Sequence, residues 1–95
     1  MNKYRLLING RNFLIEIDGN VAKHGFYQNI FIEAQSPEAA ELIAFDRIRN
    51  NEDLKRIVKN DKDDPPQFFL DDIFEIDTIT DSDKTMEKGR TFYKE

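Results

Sequence analysis

The strongest local signal in the sequence is Gly25-Phe-Tyr-Gln-Asn-Ile-Phe-Ile-Glu-Ala-Gln35, followed directly by Ser36-Pro-Glu-Ala-Ala-Glu-Leu-Ile43. The first half alternates as a β-strand does, and we place that strand at residues 26–34, central in a sheet. Ser36 has a hydroxyl that can cap a helix, and Pro37 has the φ angle of a first helical residue. Glu38 adds a negative charge near the positive end of the helix dipole. The stretch therefore predicts a strand, a tight corner and a helix that folds back on the strand.

The predicted helix begins at Pro37 and ends at about Arg49, with apolar residues on two sides. Its sheet-facing stripe consists of Ala40, Ile43, Ala44 and Ile48. Leu42 and Phe45 lie nearly opposite this stripe. Residues 51–58 have a polar cap and apolar residues at helical spacing, which predicts a short second helix. We expect that helix to cover Leu42 and Phe45; the alternative is that these two residues form an exposed patch where a partner binds.

Two shorter alternating runs, residues 4–8 and 12–17, precede this stretch. Asn9-Gly10 between them is typical of a tight turn, so we predict a hairpin. The alternative is one strand over residues 4–17 with a bulge at Gly10. After a break at residues 18–20, residues 21–25 form a polar connection in which His24, the only histidine, is solvated.

The second half of the chain alternates between charged and apolar segments. Residues 59–64 form a charged loop that ends at Pro65-Pro66. Residues 67–77 have the pattern of a strand with a bulge near Asp71 and Asp72. We predict a mobile loop at residues 78–88, which contain few apolar side chains, and a short last strand at 90–93.

These elements predict one α+β domain over residues 1–95. Its sheet is small and mostly antiparallel, in the order β-β-β-α-α-β-β, and one main helix and a short second helix lie on one face.

Composition excludes several classes of function. The chain has no cysteine, which excludes disulfides, thiolate metal sites and a cysteine nucleophile. A net charge of −5 argues against nucleic-acid binding, which needs a basic face. The apolar run near the N-terminus is too short for a signal peptide or a membrane span. We therefore expect a cytoplasmic protein with neither nucleic acid nor membrane as a partner.

The sequence contains no motif of a common enzyme or cofactor site. It has no nucleophile elbow, no glycine-rich phosphate loop and no pair of histidines at helical spacing. Asp61, Asp63 and Asp64 invite a calcium hypothesis, but the glycine and glutamate of an EF-hand loop are missing at the required positions. We predict no catalytic residue, no metal and no cofactor. An enzyme with an unrecognised site is the least favoured alternative.

Two binding functions fit these observations. The first is a non-enzymatic protein-interaction module or homo-oligomer, which uses a strand edge or the aromatic sheet face around Tyr27 and Phe31. The second is an acidic inhibitor or immunity-type protein that binds a basic partner. Its charged face would consist of Asp61, Asp63, Asp64, Asp71, Asp72 and Glu75. The predicted interaction surface as a whole comprises Tyr27, Phe31, Leu42, Phe45, Asp71, Asp72 and Glu75.

Overall fold

The computed structural model describes all residues, 1–95, as one antiparallel four-stranded sheet with three helices. The strands are β1 (Asn2–Ile17), β2 (Asn20–Ala34), β3 (Gln67–Ile76) and β4 (Thr91–Lys94). The helices are α1 (Pro37–Arg49), α2 (Glu52–Ile57) and α3 (Asp81–Glu87). The strand order is β3-β1-β2-β4, which puts the two longest strands in the centre. The predicted α+β class is confirmed.

The strands β1 and β2 form one long hairpin whose turn lies at Asp18-Gly19. These two residues have φ angles of 52° and 82°, as a two-residue hairpin turn requires. The hairpin predicted at Asn9-Gly10 is wrong, and the alternative of a single bulged strand is right. Register shifts between Gly10 and Phe13, where Asn12 takes a φ of 61°. The predicted connection at residues 21–25 is part of β2.

Packing explains why Asn9-Gly10 is not a turn. A Cβ atom on Gly10 would lie 2.6 Å from Cζ of Phe26 and 2.8 Å from Cε2 of Phe13. Glycine is needed here because two aromatic rings occupy the space beside the backbone. The bulge after it reverses the alternation, so Ile8 before it and Phe13 after it face the same side of the sheet.

One face of the sheet packs against the helices and forms the core. The buried helical residues are Ala40, Ala44, Ile48 and Leu54, and the buried strand residues include Leu6, Ile8, Phe13, Phe26 and Ile30. Ser36 caps α1, because its Oγ accepts a hydrogen bond from the backbone N–H of Ala39 at 3.1 Å. Ile43 is 41% exposed, so the predicted stripe is wrong at this residue. Ala40, Ala44 and Ile48 are spaced four residues apart and form the row that contacts the sheet. Ile43 lies beside this row, where it is partly open to solvent.

The last third of the chain confirms one prediction and corrects another. Leu7 pairs with Asp72 and Ile8 with Leu70, which leaves Asp71 as the extra residue of the predicted bulge. Residues 78–88, predicted as a loop, contain α3, which begins with a capping box between Thr80 and Asp83. The element order is therefore β-β-α-α-β-α-β. No residue of α3 is buried, so apolar periodicity could not indicate this helix.

Candidate functional site

The sheet has a second face, here called the outer face, on the side opposite the core. Strand register places alternate residues of all four strands there. Its members include Lys3, Arg5, Leu7, Asn9 and Leu14 of β1; Lys23, Tyr27, Asn29, Phe31 and Glu33 of β2; Phe69, Asp72 and Phe74 of β3; and Tyr93 of β4. The helices α1 and α2 pack on the opposite face, and α3 contacts that same opposite face through Gln28.

Several large apolar side chains of the outer face are in contact with solvent. Tyr27 is 40% exposed, Phe69 is 39% exposed and Phe74 is 53% exposed. Leu7 and Leu14 are half-buried on the same face. Scattered apolar side chains are common on protein surfaces, but these share one face of one sheet. Such a face is typical of a surface that another protein covers.

Asn9 lies at the centre of the outer face and is completely buried. Its Nδ2 donates hydrogen bonds to the backbone oxygen of Phe26 at 3.1 Å and to the Tyr93 hydroxyl at 3.0 Å. Its Oδ1 accepts a hydrogen bond from Nε of Arg11 at 2.6 Å. The amide group therefore joins side chains of β1 and β4 across the intervening strand β2.

Aromatic rings extend this arrangement on both sides of Asn9. The guanidinium of Arg11 lies 4.6 Å from the ring centroid of Phe69, a cation–π distance. The ring of Tyr93 occupies the space beside Gly25 that a side chain would need, and its centroid lies 5.6 Å from that of Tyr27. We call the five residues Phe69, Arg11, Asn9, Tyr93 and Tyr27 the Asn9 cluster, which spans all four strands.

Other polar side chains of the outer face also have partners within the chain. Nε of Arg5 donates to Oδ1 of Asn29 at 3.1 Å. Lys3 and Glu33 form an ion pair at 3.6 Å. The carboxylate of Asp72 accepts a hydrogen bond from the N–H of Ile73 at 2.9 Å. Covering this part of the face with protein would therefore leave few polar groups without a partner, whereas Glu16 and Lys23 near the hairpin turn form no ion pair.

The structure separates the residues of the predicted interaction surface. Tyr27, Phe31 and Asp72 lie on the outer face, although Phe31 is only 5% exposed. Glu75 pairs with Tyr4 and lies on the opposite face. Asp71 is the bulged residue of β3. The acidic residues therefore do not share one face of the sheet.

The two apolar residues on the far side of α1 differ in their exposure to solvent. Leu42 is 67% exposed, whereas Phe45 is half-buried with its ring centroid 6.0 Å from that of Phe68. Phe45 is thus covered by β3, and the expectation that the second helix covers both residues is wrong.

The sequence did not indicate Asn9, Arg11, Phe69 or Tyr93 as site residues. The Asn9-Gly10 pattern predicts a turn, and only a continuous β1 with a bulge places Asn9 opposite Tyr27. His24, predicted as solvated, is 8% exposed, and its Nδ1 lies 2.9 Å from the backbone oxygen of Ala22. The alternation of β2 would have placed it on the core face.

The remaining chemistry of the chain is sparse. No three histidine, aspartate or glutamate side chains converge as metal ligands would. No helix combines the length and the apolar composition that a membrane span requires. Comparison with protein-family models, with curated proteins and with solved structures gives no match to this chain.

Proposed function

We propose that the protein is a non-enzymatic interaction module that forms a homodimer by packing two outer faces together. The observation that carries the proposal is the set of exposed aromatic side chains on a sheet face without a helix. Burial of these rings removes apolar area from water, which stabilises association. The hydrogen bonds of the Asn9 cluster keep the cost of desolvating the polar centre low.

The charge of the outer face favours a second copy as the partner. The whole chain carries −5, so most pairs of its surfaces repel each other. The outer face has four positive and three negative side chains. They are Lys3, Arg5, Arg11 and Lys23, and Glu16, Glu33 and Asp72. Because these charges nearly balance, two outer faces can meet without net local repulsion.

The size of the outer face is sufficient for a modest dimer. The strands have 16, 15, 10 and 4 residues, and at about 4.8 Å between strands and about 3.3 Å per residue they cover on the order of 700 Å². Two copies would bury about 1,400 Å² in total, in the lower half of the range for specific interfaces. We therefore expect a dimer that dissociates on dilution.

Sedimentation or light scattering over a concentration series tests the proposal. We expect a mass of about twice 11.2 kDa at high concentration. Tyr27→Glu and Phe74→Glu each place a charge on the outer face and should give monomers. Leu42→Glu is the matched control, because it adds the same charge at an exposed position on α1 and should leave the dimer intact. A wild-type chain that stays monomeric at every concentration would overturn the proposal, as would equal dissociation by Leu42→Glu.

A further inference from the structure

A polar cavity of about 510 Å³ lies on the helical side of the molecule, away from the outer face. Its floor is Gln28 of β2, and its walls come from α1, the start of α2, α3 and Arg90. The volume is within the range of small-molecule sites in proteins. Only one of its nine lining residues is hydrophobic, so a ligand that fits it must be polar.

Positive charge collects in this cavity although the protein is acidic. Its lining has four positive side chains, Arg47, Lys84, Lys88 and Arg90, and two negative ones, Asp53 and Glu87. Both carboxylates have ion-pair partners, since Glu87 pairs with Arg47 and Asp53 lies 3.7 Å from Arg56. Lys84, Lys88 and Arg90 form no ion pair. With four cations against two carboxylates, the cavity lining carries a net positive charge, which favours an anion.

Two buried polar atoms in the cavity lining lack hydrogen-bond partners. Gln28 is 6% exposed, and its Nε2 donates to the backbone oxygen of Glu87 at 2.7 Å, but its Oε1 accepts nothing. Nε of Arg90 is buried and donates to nothing. Burial lowers the pKa of Arg90, against an opposing contribution from Asp53. Buried polar atoms without partners are uncommon in native proteins, and these two mark a part of the cavity lining where a bound polar molecule would gain hydrogen bonds.

We propose that this cavity binds a small organic anion, a carboxylate or a phosphate, with a hydroxyl group next to the charge. The anionic group takes the place beside Arg90, Lys84 and Lys88. The hydroxyl group donates its hydrogen bond to Oε1 of Gln28, after a small movement of this side chain exposes the buried oxygen to the cavity. An anion without that hydroxyl leaves the amide oxygen unpaired and binds more weakly.

Titration of the ¹⁵N-labelled protein followed by NMR tests this proposal on the wild-type chain. The probes are two matched pairs, malate with succinate and glycerol 3-phosphate with inorganic phosphate. We expect shifts of the Arg90 Nε–H and Gln28 side-chain amide signals, and about tenfold tighter binding of the hydroxylated member of the preferred pair. Whichever pair binds more tightly identifies the anionic group as carboxylate or phosphate.

Three variants locate the binding. Arg90→Gln should weaken binding at least about tenfold, because it removes a charge-assisted contact. Gln28→Leu should abolish the preference for the hydroxylated ligand. Lys62→Gln removes the same charge from an exposed loop and should change nothing. Thermal melting of each variant establishes that it is folded. Absence of shifts with all four probes, equal affinities within both pairs, or equal weakening by Lys62→Gln would each overturn the proposal.

Discussion

At the scale of single residues, Gly10 determines how the core of the sheet packs. The rings of Phe13 and Phe26 lie 5.0 Å apart, centroid to centroid, and fill the space beside its backbone. Gly10→Ala should therefore lower the free energy of unfolding by about 1–3 kcal/mol, the usual cost of overpacking a core. Urea denaturation measures the difference. Gly89→Ala is the control, because its Cβ would meet only the backbone oxygen of Met86 at 3.5 Å, an ordinary contact. Equal losses in the two variants would contradict this account of Gly10.

The same residue explains one limit of the sequence. An Asn-Gly pair between alternating runs is the usual pattern of a hairpin turn, and local preference alone therefore predicted one at Asn9-Gly10. The position of Gly10 depends on Phe26, which is distant in sequence and pairs with it only in the folded sheet. Asn9 was missed as a site residue for the same reason, since its partners come from β2 and β4.

At the scale of elements, α1 could be predicted closely because its signals are local. Ser36 and Pro37 define its start, and Ala40, Ala44 and Ile48 form the buried row. Ile48→Ala should cost about 2–5 kcal/mol, because the side chain is almost fully buried. Ile43→Ala, the same change five residues earlier at a 41% exposed position, should cost about 1 kcal/mol or less. Denaturation curves of the pair provide the comparison, and a larger loss for Ile43→Ala would reverse the assignment of the buried row.

The helix α3 shows the opposite case, since tertiary contacts rather than apolar periodicity hold it. Gln28 donates to the backbone oxygen of Glu87, and Arg47 pairs with the Glu87 carboxylate. With no buried residue, α3 should open locally at low free-energy cost. We expect its amide hydrogens to exchange faster than those of α1, and faster still in Arg47→Gln. Protection equal to that of α1 would show that α3 is an integral part of the cooperative fold.

At the scale of the whole molecule, the two sheet faces have different chemistry. One face buries a core against the helices, and the other combines exposed aromatic rings with polar groups that are already hydrogen-bonded. Binary alternation could predict that each strand has two faces, but the bulges at Asn12 and Asp71 decide which residues belong to which face. The acidic residues are distributed over several surfaces, so the net charge acts mainly at long range.

That long-range charge makes the salt dependence of association a test between the two binding functions. Two copies of charge −5 with centres roughly 21 Å apart, the shortest extent of the molecule, repel by about 5 kcal/mol in water without salt. The screening length falls from about 30 Å at 0.01 M salt to about 8 Å at 0.15 M, which removes most of this repulsion. The dimer should therefore become tighter on the order of tenfold over that range. Sedimentation equilibrium at the two salt concentrations measures the change, and Phe74→Glu should stay monomeric in both.

An acidic inhibitor bound to a basic partner would show the opposite trend, because salt screens the attraction that holds such a complex together. A dimer that weakens as salt is added would mean that charge pairs, rather than the aromatic rings of the outer face, hold the two copies together.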